Sequence, residues 1–318
     1  MDIETALADE HGLVSASRAE AVGLSRRERS RLVAQGRLQR VTRGWCVLGA
    51  VADALDELPP AERRKGYHAL VTRAVLNTFE GRVVASHHSA LVQHALPTYC
   101  ADLSTVHVTR VGDDHSRARA GLVVHERVDG ARFVDDLVIE PAVAVMQVGM
   151  TNGPMAALIA ADAGLNRELL NLVDLERAVG LIGGPRAWPV KRILPFADGR
   201  SESPGESRLR EALRVMDIAA TPQVRVEDVG FFAVVDLMLD DARVVSEFDG
   251  FVKYGRPESY RLSAAPADVV VAEKLREDRI RALSYVVVRV TWAELDDLAA
   301  LRRKIVAAMA LSRLLPAA

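Results

Sequence analysis

The stretch FFAVVDLMLDDARVVSEFDG, residues 231 to 250, decides how this chain is read. Two apolar runs flank the acidic pair Asp240 and Asp241, a turn signal between strands. The pattern predicts a β-hairpin, and each arm carries an acid. Asp236 interrupts the first arm, and Glu247 lies eleven residues on, in the second. A tight hairpin brings those two positions together on a shared face. Asp249 follows Glu247 at i+2 and so points the same way on its strand. Carboxylates gathered on one face repel unless a metal ion, an arginine or open water separates them. Asp236 is the hardest to dismiss, because a lone carboxylate in an apolar strand is costly without a partner.

The surrounding chain supplies the rest of a domain over residues 201–318. SPGESRLREALRVM predicts a helix, with Ser203 as cap, Pro204 at the first position and Glu206 three residues after the cap. PQVRVEDVG is a strand before the hairpin, ADVVVAEKLREDRIRALS a helix after it, and YVVVRVTW a last strand before a closing helix. The order is α-β-β-β-α-β-α. Asp236, Glu247 and Asp249 are candidate oxygen ligands for Mg2+ or Mn2+. Glu206 either reaches the same place or serves only as a capping-box acid. Lys253 would orient an attacking water or steady developing charge. From Ser201 to Val290 there are thirteen Lys and Arg against sixteen Asp and Glu, a net of −3. Such a surface attracts DNA weakly by itself.

The N-terminal part has the opposite balance. Residues 1–50 predict three short helices and a hairpin that turns at Arg43-Gly44. Ser25 and Glu28 form a capping-box pattern at the third helix, and Gly36 ends it. Three helices plus a β-hairpin is the winged helix-turn-helix plan. Between Ser25 and Trp45 stand seven arginines (26, 27, 29, 31, 37, 40 and 43) against the single acid Glu28, a net of +6. Arg26, Arg27 and Arg31 lie near the start of the third helix, where Ser25 caps it and a recognition helix meets the major groove. Arg37, Arg40 and Arg43 lie on the hairpin, where a wing meets phosphates.

Residues 51–200 read as a mixed α/β domain. ERRKGYHALVTRAVLNTF is helical, and RVVASHHSALVQHAL is a strand running into a helix. STVHVTRV and GLVVHERV are strands around the polar loop GDDHSRARA. PAVAVMQVGMTNGPMAALIAADAGLNREL is helical with a break near Asn152-Gly153-Pro154. His87, His88 and His94 are read as packing or capping at a helix start, because no acid stands at ligand spacing from them. Trp45, Trp188 and Trp292 are expected in the core.

Composition bounds these readings. The chain has 318 residues, 49% hydrophobic and 26% charged, which suits two or three domains with ample core. A net charge of −2 confines any nucleic-acid surface to a local patch. Cys46 and Cys100 make neither a disulfide framework nor a metal knuckle. The N-terminus is acidic and amphipathic, unlike a signal peptide, and no apolar run reaches the about 18 residues of a membrane helix. The expected compartment is a reducing cytoplasm, with no membrane partner.

SASRAEAVGLSRRERSRLVAQGRLQRVTRGWCVL resembles the winged helix-turn-helix that opens AbiEi-type antitoxins of type IV toxin-antitoxin systems. VVASHHSALVQHALP, VHVTR and GLVVHE resemble the middle region of the same actinobacterial proteins. DGRSESPGESRLR, VDLMLDDARVVSEFDGFVKYGR and EKLREDRIRALSYVVVRVTWAEL resemble their C-terminal domain, which is similar to very-short-patch repair endonucleases of the PD-(D/E)xK superfamily. The resemblance implies an α/β (α+β) chain with a winged helix over 1–50, a mixed domain over 51–200 and a restriction-endonuclease-like α-β-β-β-α-β domain over 201–318. It puts Glu206 at the helix acid, Asp236 at the metal-binding aspartate and Glu247 at the acid of the E-x-K element. The sequence departs at the lysine of that element, where Asp249 stands; Lys253, or Lys274 or Arg279 from the next helix, would have to supply the cation. Three functions are open: an antitoxin-like transcriptional regulator whose nuclease fold is degenerate, an active metal-dependent DNA endonuclease targeted by its winged helix, or an adaptor that uses the degenerate nuclease fold for protein contacts. The implied partners are double-stranded DNA and a cognate toxin or other protein.

Overall fold

A computed structural model describes residues 2–112, 115–250 and 267–315, which form fourteen α-helices and three sheets in an α+β arrangement. Local signals decide the first sheet. α1 (Ile3–Leu7) leads into β1 (Leu13–Ser15), α2 (Ala16–Ala21) and α3 (Arg26–Ala34), then the hairpin of β2 (Leu38–Thr42) and β3 (Trp45–Leu48). The Ser15 hydroxyl accepts the Arg18 N–H at 3.1 Å and starts α2. At α3 the Glu28 N–H donates to Ser25 Oγ at 3.2 Å, and the Ser25 N–H donates to Glu28 Oε2 at 2.8 Å, completing the expected capping box. Gly36, at φ +72°, ends α3 in a left-handed turn in which the Arg37 N–H reaches back to the Leu32 carbonyl at 3.0 Å. β1 joins the hairpin to give the antiparallel order β1-β3-β2. Leu7, Val14, Ala19, Leu24, Leu32 and Leu38 fill the space between the helices and this sheet.

The line expected at residue 50 falls inside α4 (Gly49–Asp56), a helix that the sequence reading does not include. α4 and α5 (Pro60–Phe79) close the first sheet, with Ala52, Leu70 and Ala74 packed on Leu13 and Val47. Another face of α5 carries Val75 and Leu76 onto a different sheet. One long helix therefore serves two cores.

That second sheet has six strands in the order β6-β7-β5-β4-β9-β8. They are β4 (Val83–Ala85), β5 (Val106–Arg110), β6 (Arg117–Arg119), β7 (Leu122–His125), β8 (Phe133–Val134) and β9 (Val138–Ile139). β6 corrects the sequence reading, because part of the expected polar loop pairs antiparallel with β7. β5 and β7 run parallel, with His107 opposite Val123 and Thr109 opposite His125. Val106, Val108, Leu122 and Val124 face α5. α6 (His87–Gln93), α7 (Pro141–Asn152), α8 (Pro154–Asn166), α9 (Leu172–Leu181) and α10 (Ala187–Ile193) build the main core around Val84, Leu91, Val145 and Ala160. α7 and α8 are apolar all round and are buried for that reason. Gly153 separates them as expected. Trp188 is a correction: it is 60% exposed, with the Arg192 guanidinium 4.8 Å over its ring.

The C-terminal part follows the expected order: α11 (Pro204–Val215), β10 (Ala220–Asp228), β11 (Phe231–Leu239), β12 (Val244–Asp249), α12 (Ala267–Ala282) and β13 (Val286–Thr291). The expected last helix is broken at Asp296 into α13 (Trp292–Leu295) and α14 (Leu298–Ser312). The sheet order is β10-β11-β12-β13, antiparallel except for the parallel pair β12 and β13. α11 and α14 cover Leu237, Leu239, Val244 and Val290, while Ile280 of α12 packs with Val235 and Val245. The line expected at 200 falls between this core and the middle one. Across it, Arg210 of α11 donates to the fully buried Asp162 of α8 at 2.7 Å.

Candidate functional site

α3 and the β2–β3 hairpin present the arginines the sequence singles out. Arg26, Arg27, Arg31, Arg37, Arg40 and Arg43 are exposed. Among the described residues no carboxylate pairs with Arg26, Arg27, Arg31, Arg40 or Arg43. Arg26, Arg29, Arg40 and Arg43 line a cleft of about 460 Å³ between the helix and the hairpin, beside Trp45 and Ser30. Two arginines and the serine have structural tasks. Arg29 pairs with Glu20 and donates to the Leu24 carbonyl. Arg37 pairs with Asp2 and with the buried Glu4. Ser25 is engaged with Glu28.

The C-terminal acids come together, and an arginine comes with them. Leu237 pairs with Ser246 and Met238 with Val245, so one further step of that register sets Asp236 opposite Glu247. Asp236 Oδ2 accepts the Phe248 N–H at 2.8 Å. Burial pushes the Asp236 carboxyl up from 3.8 to about 6; the nearby Glu206 and Glu247 charges push the same way, against the Phe248 N–H and Arg276. Glu206 is delivered by a close approach: a Cβ on Gly205 would lie 2.0 Å from the Phe248 ring. Its Oε2 accepts the Glu202 N–H at 2.9 Å and the Gln223 amide at 3.2 Å. Glu247 is 6% exposed and takes Arg276 of α12 at 2.6 Å, while the same guanidinium donates to the Val234 carbonyl. Arg289, next to Glu247 across β13, stands 4.0 Å from both Glu247 and Asp249 and pairs with Glu273 and Glu277.

Glu247 therefore has a close guanidinium partner and Asp249 a more distant one where Mg2+ or Mn2+ was expected, while Asp236 accepts a backbone N–H and Glu206 a backbone N–H and an amide. Among the described residues no three acids converge as a metal-ligand set. In this arrangement Asp236, Glu247 and Asp249 do not fit the divalent ion: Glu247 already shares its charge with Arg276, and Asp236 is tied to a backbone N–H. Of the cations the sequence offered from the following helix, neither Lys274 nor Arg279 is the one that arrives. Lys274 is exposed, and Arg279 lies over the Phe231 ring. Lys253 lies outside the described residues.

A third cluster was missed. His87, His107 and His125 each offer one nitrogen, and the three lie within 4.8 Å of one another. His107 Nδ1 and His125 Nε2 share a hydrogen bond of 3.0 Å, and the His87 and His125 rings stack at 3.9 Å. His88 and His68 extend the row, 4.5 Å from His107 to His88 and 5.3 Å from His88 to His68. Burial is the main cause that pushes these imidazoles down, to about 3 for His107, about 4 for His125 and His68, and well below 6.5 for His87. Neighbouring imidazoles add to it. They are neutral at ordinary pH. His88 and His94 match the expected packing role, with Nε2 of each 2.8 Å from a backbone oxygen, that of Thr105 and of Ile139. The signal that would have found the trio is alternation: His107 and His125 stand two rungs apart on one face of a parallel strand pair, under the start of the helix that carries His87.

No family model matches the chain. The uncharacterized protein Rv2248 of Mycobacterium tuberculosis strain H37Rv is 30% identical over 226 residues, which span 68% of this chain and 77% of that protein. The chain belongs to the family of that mycobacterial protein. The uncharacterized protein MT2308 of strain CDC 1551 matches to the same extent. Both members are named as uncharacterized, so the family brings no activity with it, and the chemistry must be argued from the residues.

Proposed function

We propose that this protein binds duplex DNA through α3 and the β2–β3 hairpin, as an antitoxin-like transcriptional regulator. The observation that carries the reading is the set of five exposed arginines, Arg26, Arg27, Arg31, Arg40 and Arg43, that have no carboxylate partner among the described residues. Arginines held for stability are paired, as Arg29 and Arg37 are. Unpaired guanidinium groups on a capped helix and an adjoining hairpin offer fork-shaped donors to phosphates and to guanine edges. In this reading α2 and α3 are a helix-turn-helix, α3 enters the major groove, and the hairpin is the wing. The whole chain carries −2, so binding depends on that one face.

The C-terminal domain then acts as a nuclease-like shell without cleavage chemistry, because Arg276 neutralises Glu247 and Asp249 stands at the lysine position of the resembled motif. A shell of that kind suits a protein partner such as a cognate toxin. The test is fluorescence anisotropy of the full chain with labelled duplexes selected from random sequence. Submicromolar binding that is lost in the Arg26→Ala/Arg27→Ala/Arg31→Ala variant supports the reading. Equal binding by the variant contradicts it.

A further inference from the structure

We propose that His87, His107 and His125 hold a divalent transition metal of the zinc class, with a fourth position open to water or a ligand. The donors converge from three separate elements: the start of α6, β5 and β7. Bonds of about 2.0–2.1 Å in a tetrahedral site set donor nitrogens about 3.3 Å apart. His107 and His125 are already at 3.0 Å, and all three nitrogens lie within 4.8 Å, so modest ring rotations close the site. An all-imidazole set selects Zn2+, Co2+, Ni2+ or Cu2+ over Mg2+ and Ca2+, which want oxygen.

The surroundings are built to hold these rings. Ser86 Oγ lies 3.1 Å from His87 Nδ1, which leaves Nε2 as the coordinating atom and fixes the ring angle. The His87 backbone N–H donates to Gln147 Oε1 at 3.1 Å, and the Gln147 amide donates to Thr109 Oγ1 opposite His125, at 3.3 Å. The His107 backbone N–H donates to Ser89 Oγ at 2.9 Å, and His68 Nε2 meets the same hydroxyl at 2.9 Å. His87 also adopts φ +52°, a left-handed conformation it shares with nine other non-glycine residues among the described ones. His107 and His125 remain partly exposed, which gives an ion a way in from solvent. The site is separate from the basic face and from the acid cluster, and the inference stands apart from the DNA-binding reading.

The test uses the full chain without a polyhistidine tag, stripped with a chelator and titrated with Zn2+ and with Co2+. The expected result is one metal per chain by elemental analysis, with the visible band of four-coordinate Co2+. His107→Gln and His125→Gln should each weaken binding at least tenfold, while His94→Gln, outside the trio, should not. Far-UV circular dichroism checks that each variant folds. Where one does not, histidine side-chain nitrogen shifts of the wild type on adding Zn2+ decide. Shifts at His87, His107 and His125 support the site. Shifts only at other histidines, no uptake by the wild type, or equal uptake by the His107→Gln/His125→Gln double variant overturns it.

Discussion

Asp236 shows how one residue links the hairpin to the behaviour of the protein. Its carboxyl holds a proton up to about pH 6 in the folded chain and up to about 3.8 otherwise. Between those values folding takes up a proton, so stability falls as pH rises through the window, and the full cost is present above it. Asp236→Asn removes the charge and keeps an oxygen to accept the Phe248 N–H. The variant should gain on the wild type as pH goes from 4 to 7.5, by about 2 kcal/mol in urea unfolding. A difference that does not change with pH would contradict it. Gly205 is the complementary case. Gly205→Ala would drive a methyl into the Phe248 ring, which is itself held edge-on by Trp292 at 4.9 Å. Overpacking of this kind costs about 1–3 kcal/mol, so the melting temperature should drop by several degrees. The need for a partner at Asp236 was legible in its apolar strand, and an arginine was among the partners a close pair of acids allows. Which arginine was not legible, because Arg276 reaches Glu247 only once α12 has docked.

Among the elements, caps, turns and the longer periodic strands were readable, while α4 and the short strands set only by distant pairing were not. The Ser25–Glu28 box, the Gly36 stop and the Arg43-Gly44 turn are local chemistry, and α3 and its hairpin lie where that chemistry puts them. β1 was missed because three residues carry no periodicity, and it is a strand only by pairing with β3. The histidine trio was missed for the same reason: its members meet only when β5 pairs parallel with β7 beneath α6. β13 likewise sets Arg289 beside Glu247 through a parallel register that no hairpin announces. The consequence for the acid cluster is testable. With guanidinium groups on Glu247 and near Asp249, the wild type should cut plasmid DNA in Mg2+ or Mn2+ no faster than Asp236→Ala does. Cleavage that the wild type performs and the variant loses would show that Arg276 gives way to a metal.

At the scale of the whole molecule, the parts are joined by shared elements rather than strung on linkers. α5 contributes to two cores, and Arg210 crosses to Asp162 between the middle and C-terminal parts. Burial raises the proton affinity of Asp162 even with Arg210 beside it, so the pair contributes little net stability while intact. Breaking it is another matter. Asp162→Ala leaves a guanidinium that is 12% exposed without its counter-charge and should cost about 3 kcal/mol in chemical unfolding. Adding Arg210→Leu should recover part of that loss, and no recovery would contradict the account. The whole chain is slightly acidic, so its attraction to a polyanion has to come from local basic surface. The measurement that tests this most directly is the salt dependence of duplex binding by the full chain. Wild type and the variant with Arg26, Arg27, Arg31, Arg40 and Arg43 all changed to Ala should differ in the slope of log K against log salt. The difference should be about 0.9 for each phosphate that an arginine neutralises in the wild type and alanine leaves bare. A slope unchanged by removing all five would contradict the assignment of DNA to α3 and the hairpin.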